Sequence, residues 1–178
     1  DMVVQGMGGI MSVTGHPGTP PTRIGMSIGD IGSGLYATIG VQAALFHRQL
    51  TGEATKVDIG MLDCQLALLE NAVMRYQVSG TAPGPLGARH PSITPFEAYK
   101  TKDGYIIISA GNDGLFAKLA EALENPGWAE NPDYSSNDNR NKHVEKLKIE
   151  MESVLTAHTT SHWIEVLDKF GVPSGPCL

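Results

Sequence analysis

Apolar positions recur at helical spacing between residues 32 and 50. Leu35, Ile39, Ala43 and Phe46 fall near one face, with Tyr36 and His47 beside it and Thr51-Gly52 behind. This pattern predicts a helix from about Gly32 to Leu50, stopped by glycine. Val3 to Val13 predicts a shorter helix, closed by Thr14-Gly15-His16-Pro17-Gly18, with Met2, Met7 and Met11 at core spacing. Lys56-Val57-Asp58-Ile59-Gly60 alternates polar and apolar and predicts a strand, and Leu62 to Val78 a further helix. Phe96 to Lys100 and Tyr105 to Ser109 read as two strands turning at Lys102-Asp103-Gly104. Helices are then expected near 112–124, 138–157 and 160–170, the last with Thr160 as cap and Gly171-Val172-Pro173 as stop. No closing element is expected after it.

Composition changes near residue 94. Residues 1–94 hold 6 acidic and 5 basic side chains with 15 glycines, whereas 95–178 hold 13 acidic and 8 basic with 6 glycines. The first half therefore reads as tightly packed and nearly neutral, the second as a solvated α/β unit. Between them, Ser79 to Pro95 carries four prolines and three glycines and reads as a linker or mobile loop. The domain reading is 1–80, a linker at 81–95, and 96–178. The net charge of -6 speaks against a nucleic-acid or anionic-membrane partner. No apolar run is long enough to span a bilayer, and Cys64 and Cys177 read as small core hydrophobes in a reducing, cytoplasmic compartment. The start at Asp1 and the stop at Leu178 suggest a piece of a longer protein.

The sharpest chemical feature is Gly29-Asp30-Ile31-Gly32-Ser33-Gly34, placed just before the long helix. Glycines there permit close approach of another backbone or a ligand, and a helix N-terminus favours a carboxylate. Asp30 could equally be a simple cap. The spacing is neither a dinucleotide fingerprint nor a phosphate loop. Gly111-Asn112-Asp113-Gly114 is explained by a strand-to-helix turn with Asn112 or Asp113 as cap. Asp58 and Asp63 are expected to be structural. His143, His158 and His162 fall on polar helical faces, and no metal is expected.

The run from Gly25 to Asp63 resembles the signature of the CaiB–BaiF (class III) CoA-transferases: Gly-Asp, two small residues, a helix ending Ala-Leu-x-x-Arg-x-x-Thr-Gly, then Val-Asp and Met-x-Asp. Gln5-Gly6-Met7-Gly8-Gly9 and Thr14-Gly15 are similar to motifs upstream of it. Pro95 to Gly104, Gly111-Asn112-Asp113, Asn139-Arg140-Asn141 and Gly171 to Pro176 match downstream. The resemblance implies an α/β fold: part of a Rossmann-like large domain followed by a smaller α/β domain, in an enzyme about twice this long whose subunits interlock as a homodimer. It implies no cofactor, coenzyme A being a substrate, with an acyl-CoA and a carboxylic acid as partners. The family's CoA-binding stretch would precede Asp1, so the chain alone is expected to be inactive.

By that resemblance Asp30 is the nucleophile that forms an acyl–aspartyl anhydride and then an aspartyl–CoA thioester. Gly29 and Gly32 would admit substrate, and their amides are candidate donors to the developing oxyanion. The loop Leu86-Gly87-Ala88-Arg89-His90-Pro91 is the candidate lid. His90 in it could exchange protons near neutral pH, and Arg89 could pair with a substrate carboxylate. Two rival readings remain: an α-methylacyl-CoA racemase, in which the aspartate would act as an acid–base group, and a non-catalytic interaction module.

Overall fold

Residues Met2–Met7 form helix α1 and Ile10–Val13 form α2. The single helix expected from Val3 to Val13 is broken because Gly9 adopts φ 85°, a left-handed turn that stops the ladder. Helix α3, Ile28–Thr51, begins four residues earlier than expected and ends as expected, with Gly52 at φ 79° donating to the Arg48 carbonyl at 2.8 Å. The stretch expected as one helix from 62 to 78 is two, α4 (Met61–Leu68) and α5 (Asn71–Ser79), separated at Glu70 with φ 42°. These elements lie in the first of two compact units, Asp1–Gly87 and Ala88–Leu178, of a computed structural model that describes residues 1–178.

The strand expected at 56–60 does not form. Its alternation is kept: Val57 and Ile59 are half-buried beside Gly40 of α3, while Lys56 and Asp58 are exposed and pair with each other at 3.0 Å. A strand needs a neighbouring ladder, and no other segment of the first unit offers one. Met2 and Met7, expected in a core, are 61% and 70% exposed in this chain; Met11 is half-buried.

In the second unit the hairpin forms with the expected bounds, β1 (Phe96–Lys100) and β2 (Tyr105–Ser109), with Tyr99 opposite Ile106 and Glu97 opposite Ile108. These four side chains face inward, as a period of two dictates. Helix α6 (Asp113–Ala122) follows, capped by the Asn112 side chain on the Leu115 amide at 2.9 Å. A short α7 (Gly127–Glu130) was not expected, and the helix expected at 138–157 divides into α8 (Asn137–Lys142) and α9 (Val144–Leu155). Helix α10 (Thr160–Lys169) is capped by Thr159 rather than Thr160. A third strand, β3 (Ser174–Pro176), pairs antiparallel with β2 and closes the sheet in the order β1-β2-β3. Ile106, Ile108, Phe116, Leu147, Met151 and Leu167 are among the buried core of this unit. The chain is thus a mixed helix-and-sheet fold whose sheet lies in the second unit. No helix is long and apolar enough to cross a membrane.

Candidate active site

Asp30 occupies the first turn of α3, three residues after the cap position held by Ser27. The simple-cap reading therefore does not hold: the carboxylate sits inside the helix, accepts no hydrogen bond and is 60% exposed. Its Oδ1 lies 3.4 Å from the main-chain nitrogen of Asp1. The helix dipole favours a negative charge at this position without consuming its lone pairs.

The two glycines beside it serve packing. A Cβ at Gly29 would stand 2.6 Å from Val4 Cγ1, and one at Gly32 would stand 2.6 Å from Leu68 Cδ1. Both are buried, and they let α3 approach α1 and α4 closely. Both amides expected as oxyanion donors have acceptors within the chain. The Gly29 amide donates to Asp1 Oδ1 at 2.8 Å. The helical ladder begins with Ile31 donating to Ser27 at 3.0 Å, so the Gly32 amide falls within it. The amide of Asp30 itself is the first-turn donor without an acceptor in the chain.

Two polar residues that periodicity would leave outside are buried around this turn. Gln5 is fully buried and donates to both Asp1 oxygens, at 3.0 and 2.8 Å, while its Oε1 accepts the Ile24 amide at 3.0 Å. Gln65 on α4 is equally buried, and neither of its amide atoms has a partner. The only sequence signal for Gln5 was its place in the Gln-x-x-x-Gly run; nothing marked Gln65.

Arg89 and His90 belong to the second unit. His90, expected in the candidate lid, is held by local contacts. Its Nδ1 accepts the amides of Ser92 and Ile93 at 3.2 and 3.1 Å, its own amide donates to Phe96, and its ring stacks on the Phe96 ring at 5.1 Å. The neutral ring must then carry its proton on Nε2. Thr94 and Ser92 are tied in turn to Asn137 and Asn141 of α8, so residues 90–95 are anchored. In the first unit, Gly87 is likewise fixed, its amide donating to the Gly15 carbonyl at 2.8 Å. The half-buried Arg89 makes no ion pair within the chain. It acts on Tyr99, whose hydroxyl is pushed well above its usual range by burial and by Glu97 and Glu152, Arg89 opposing them.

Asp113 is not a ligand site either. It pairs at 2.7 Å with Arg140, a fully buried residue that pattern reasoning placed on a helix without a role. His158 and His162 are both exposed and stack at 4.2 Å beside Trp163, and no group of three or more His, Cys, Asp or Glu gathers to hold a metal. Cys64 is buried as expected, whereas Cys177 is exposed.

Comparison with known proteins places this geometry. Along 100% of its length the chain is 38% identical to the acetyl-CoA:oxalate CoA-transferase of Acetobacter aceti, covering 46% of that protein. It is 37% identical to the succinate–glutarate CoA-transferase of Agrobacterium fabrum and 32% identical to the human succinyl-CoA:glutarate CoA-transferase. In each case 99% of the chain is matched, with 44% and 40% of those proteins. The crystal structure of a CAIB/BAIF family protein from Brucella suis superposes on the whole chain with a TM-score of 0.84 at 37% identity, over 47% of its length. The chain spans about half the length of the curated relatives it matches. The sequence model of CoA-transferase family III matches residues 1–178 from end to end, and the chain belongs to that family.

Proposed function

We propose that this chain carries the nucleophile of an acyl-CoA:carboxylate CoA-transferase, with Asp30 in that role. The observation that carries the reading is the state of the Asp30 carboxylate. It is fixed in backbone by the first turn of α3, yet free of hydrogen bonds and open to solvent. A carboxylate that caps no amide and meets only the Asp1 main-chain nitrogen, at 3.4 Å, is available to react.

The reaction balances without a redox partner. An Asp30 oxygen attacks the thioester carbonyl and the C–S bond breaks, giving an acyl–aspartyl anhydride and CoA thiolate. The thiolate attacks the aspartyl carbonyl, expelling the donor carboxylate and leaving an aspartyl–CoA thioester. The acceptor carboxylate attacks that thioester, and the thiolate released then takes the new acyl group and frees Asp30. The unpartnered Asp30 amide supports stabilisation of the charge that develops at each attack. Small dicarboxylates are the acceptors we favour, because oxalate, succinate and glutarate name the relatives' activities. A homodimer, as the family resemblance implies, in the reducing cytoplasm that the two unpaired cysteines suggest, completes the proposal.

The test uses the native gene product with acyl-CoA and added hydroxylamine. Inactivation with a mass change on the peptide holding Asp30 is expected, and Asp30→Asn should be inactive while folded. Exchange of solvent deuterium into the α-carbon of a 2-methylacyl-CoA, with no adduct on that peptide, would replace the transferase by a racemase.

A further inference from the structure

Helix α1 is inverted. Its apolar side chains Met2, Val3 and Met7 are 61%, 75% and 70% exposed, while the one residue it buries completely is the polar Gln5. A buried carboxamide is costly unless its donors and acceptor are used, and here they are. Nε2 donates to Asp1 Oδ1 and Oδ2 and reaches the Met26 carbonyl at 3.4 Å, and Oε1 accepts the Ile24 amide at 3.0 Å.

All these bonds end on the two strips of chain that set the entry of α3. Ile24 and Met26 lead into the Ser27 cap, and Met26 also accepts the Ile28 amide at 2.9 Å. Asp1, oriented by Gln5, accepts the amide of Gly29, the residue before Asp30, at 2.8 Å. We infer that Gln5 is a positioning residue for Asp30. It acts through Asp1 and the 24–26 segment and fixes the first turn of α3 on which the nucleophile stands. The inference rests on the nucleophile reading above. Only a carboxamide meets the requirement: the group must donate to an anion and to a carbonyl and accept from an amide. A lysine could not accept, an ionised glutamate could not donate, and leucine, close in size, could do neither.

The experiment compares Gln5→Leu and Gln5→Glu with the parent in the native gene product, reading kcat, KM for acyl-CoA and melting temperature across pH 5.5 to 8. For Gln5→Leu we expect kcat to fall roughly 10- to 100-fold, the scale of a slightly misplaced reacting group, with KM changed far less. In Gln5→Glu the introduced carboxyl faces Asp1, so the two carboxyls share a proton and titrate together at raised pH. Once protonated, the introduced group donates to Asp1 and accepts from Ile24 as the amide does. Gln5→Glu should therefore regain activity relative to the parent as pH falls, whereas Gln5→Leu should not. Parent-like kcat in folded Gln5→Leu overturns the inference, as does a Gln5→Glu deficit that tracks its folded fraction and ignores pH. If Gln5→Leu fails to fold, the Gln5→Glu profile decides alone. An active Asp30→Asn enzyme would instead remove the nucleophile reading, and the two failures are told apart by that variant.

Discussion

Arg140 is wholly buried, yet the carboxylate it pairs with at 2.7 Å, that of Asp113, is 63% exposed. The guanidinium spends its other donors on the Thr94 and Tyr134 carbonyls, at 2.7 and 2.8 Å, and lies 4.4 Å from the centre of the Phe116 ring. It thereby joins the segment before β1, the start of α6 and the 134 turn from one point.

This asymmetry predicts unequal costs for the two partners. Arg140→Met strands two main-chain carbonyls and should destabilise the second unit by about 2–5 kcal/mol, roughly 1–3 kcal/mol for each buried acceptor left unmade. Asp113→Asn keeps an acceptor at a site that water reaches, and should cost about 1–2 kcal/mol. Denaturant unfolding followed by the Trp128 and Trp163 fluorescence of this unit reads both. Equal losses would contradict the solvation argument.

The glycines of α3 make a matched set. Gly29→Ala places a methyl 2.6 Å from Val4 Cγ1 and 3.3 Å from the Asp1 carbonyl oxygen, and overpacking of this kind costs about 1–3 kcal/mol, whereas a methyl at Gly32 meets only the end of the partly exposed Leu68 side chain, which can turn away. Gly34→Ala meets nothing within 4 Å and should stabilise by up to about 1 kcal/mol, alanine being the better helix former. The melting temperature should therefore fall in Gly29→Ala, rise in Gly34→Ala, and change least in Gly32→Ala.

Asp103 gives a pH prediction. The Thr160 amide donates to its Oδ1 at 2.8 Å and the Thr160 hydroxyl at 3.1 Å, which holds the carboxyl below its ordinary range. A depressed carboxylate pKa contributes stability that is present above the unfolded value, near 4, and is lost as pH falls through the lower folded value. The difference in melting temperature between the parent and Asp103→Ala should be constant from pH 7 to 5 and should shrink below pH 4. A difference that persists unchanged to pH 2 would deny the carboxylate this role.

For His90, the two amides on Nδ1 describe a tether, and we expect it to take no part in proton transfer. His90→Asn can place its Oδ1 on the same amides, so its transfer activity and pH profile should match the parent. His90→Ala should loosen the 88–95 segment, seen as faster hydrogen exchange at Ser92 and Ile93. A pH profile that loses a limb in His90→Asn would return His90 to the chemistry.

The sequence by itself determined whatever depends on neighbours a few residues apart. The alternation in 96–100 and 105–109 needs only a pleat with one buried face, so the hairpin was legible to the residue. The α3 stop at Gly52 needs only a left-handed position. The ordered motifs from Gln5 to Pro176 likewise identified the family without coordinates, and they singled out Asp30. Tertiary structure alone decided what each polar or small residue is used for. Arg140 is buried because Thr94, 46 residues away, offers a carbonyl. Gln5 is buried because Ile24 and Asp1 share its amide. Gly29 and Gly32 are small because Val4 and Leu68 stand against them. The break at Glu70 and the unpaired 56–60 segment follow the same logic. Periodicity records which face of an element is apolar, but a buried polar group, a close approach or a strand is defined by a partner. Asp1 is four residues from Gln5, but its other partner Ile24 is 19 away and Thr94 is 46 from Arg140, beyond the reach of a local pattern.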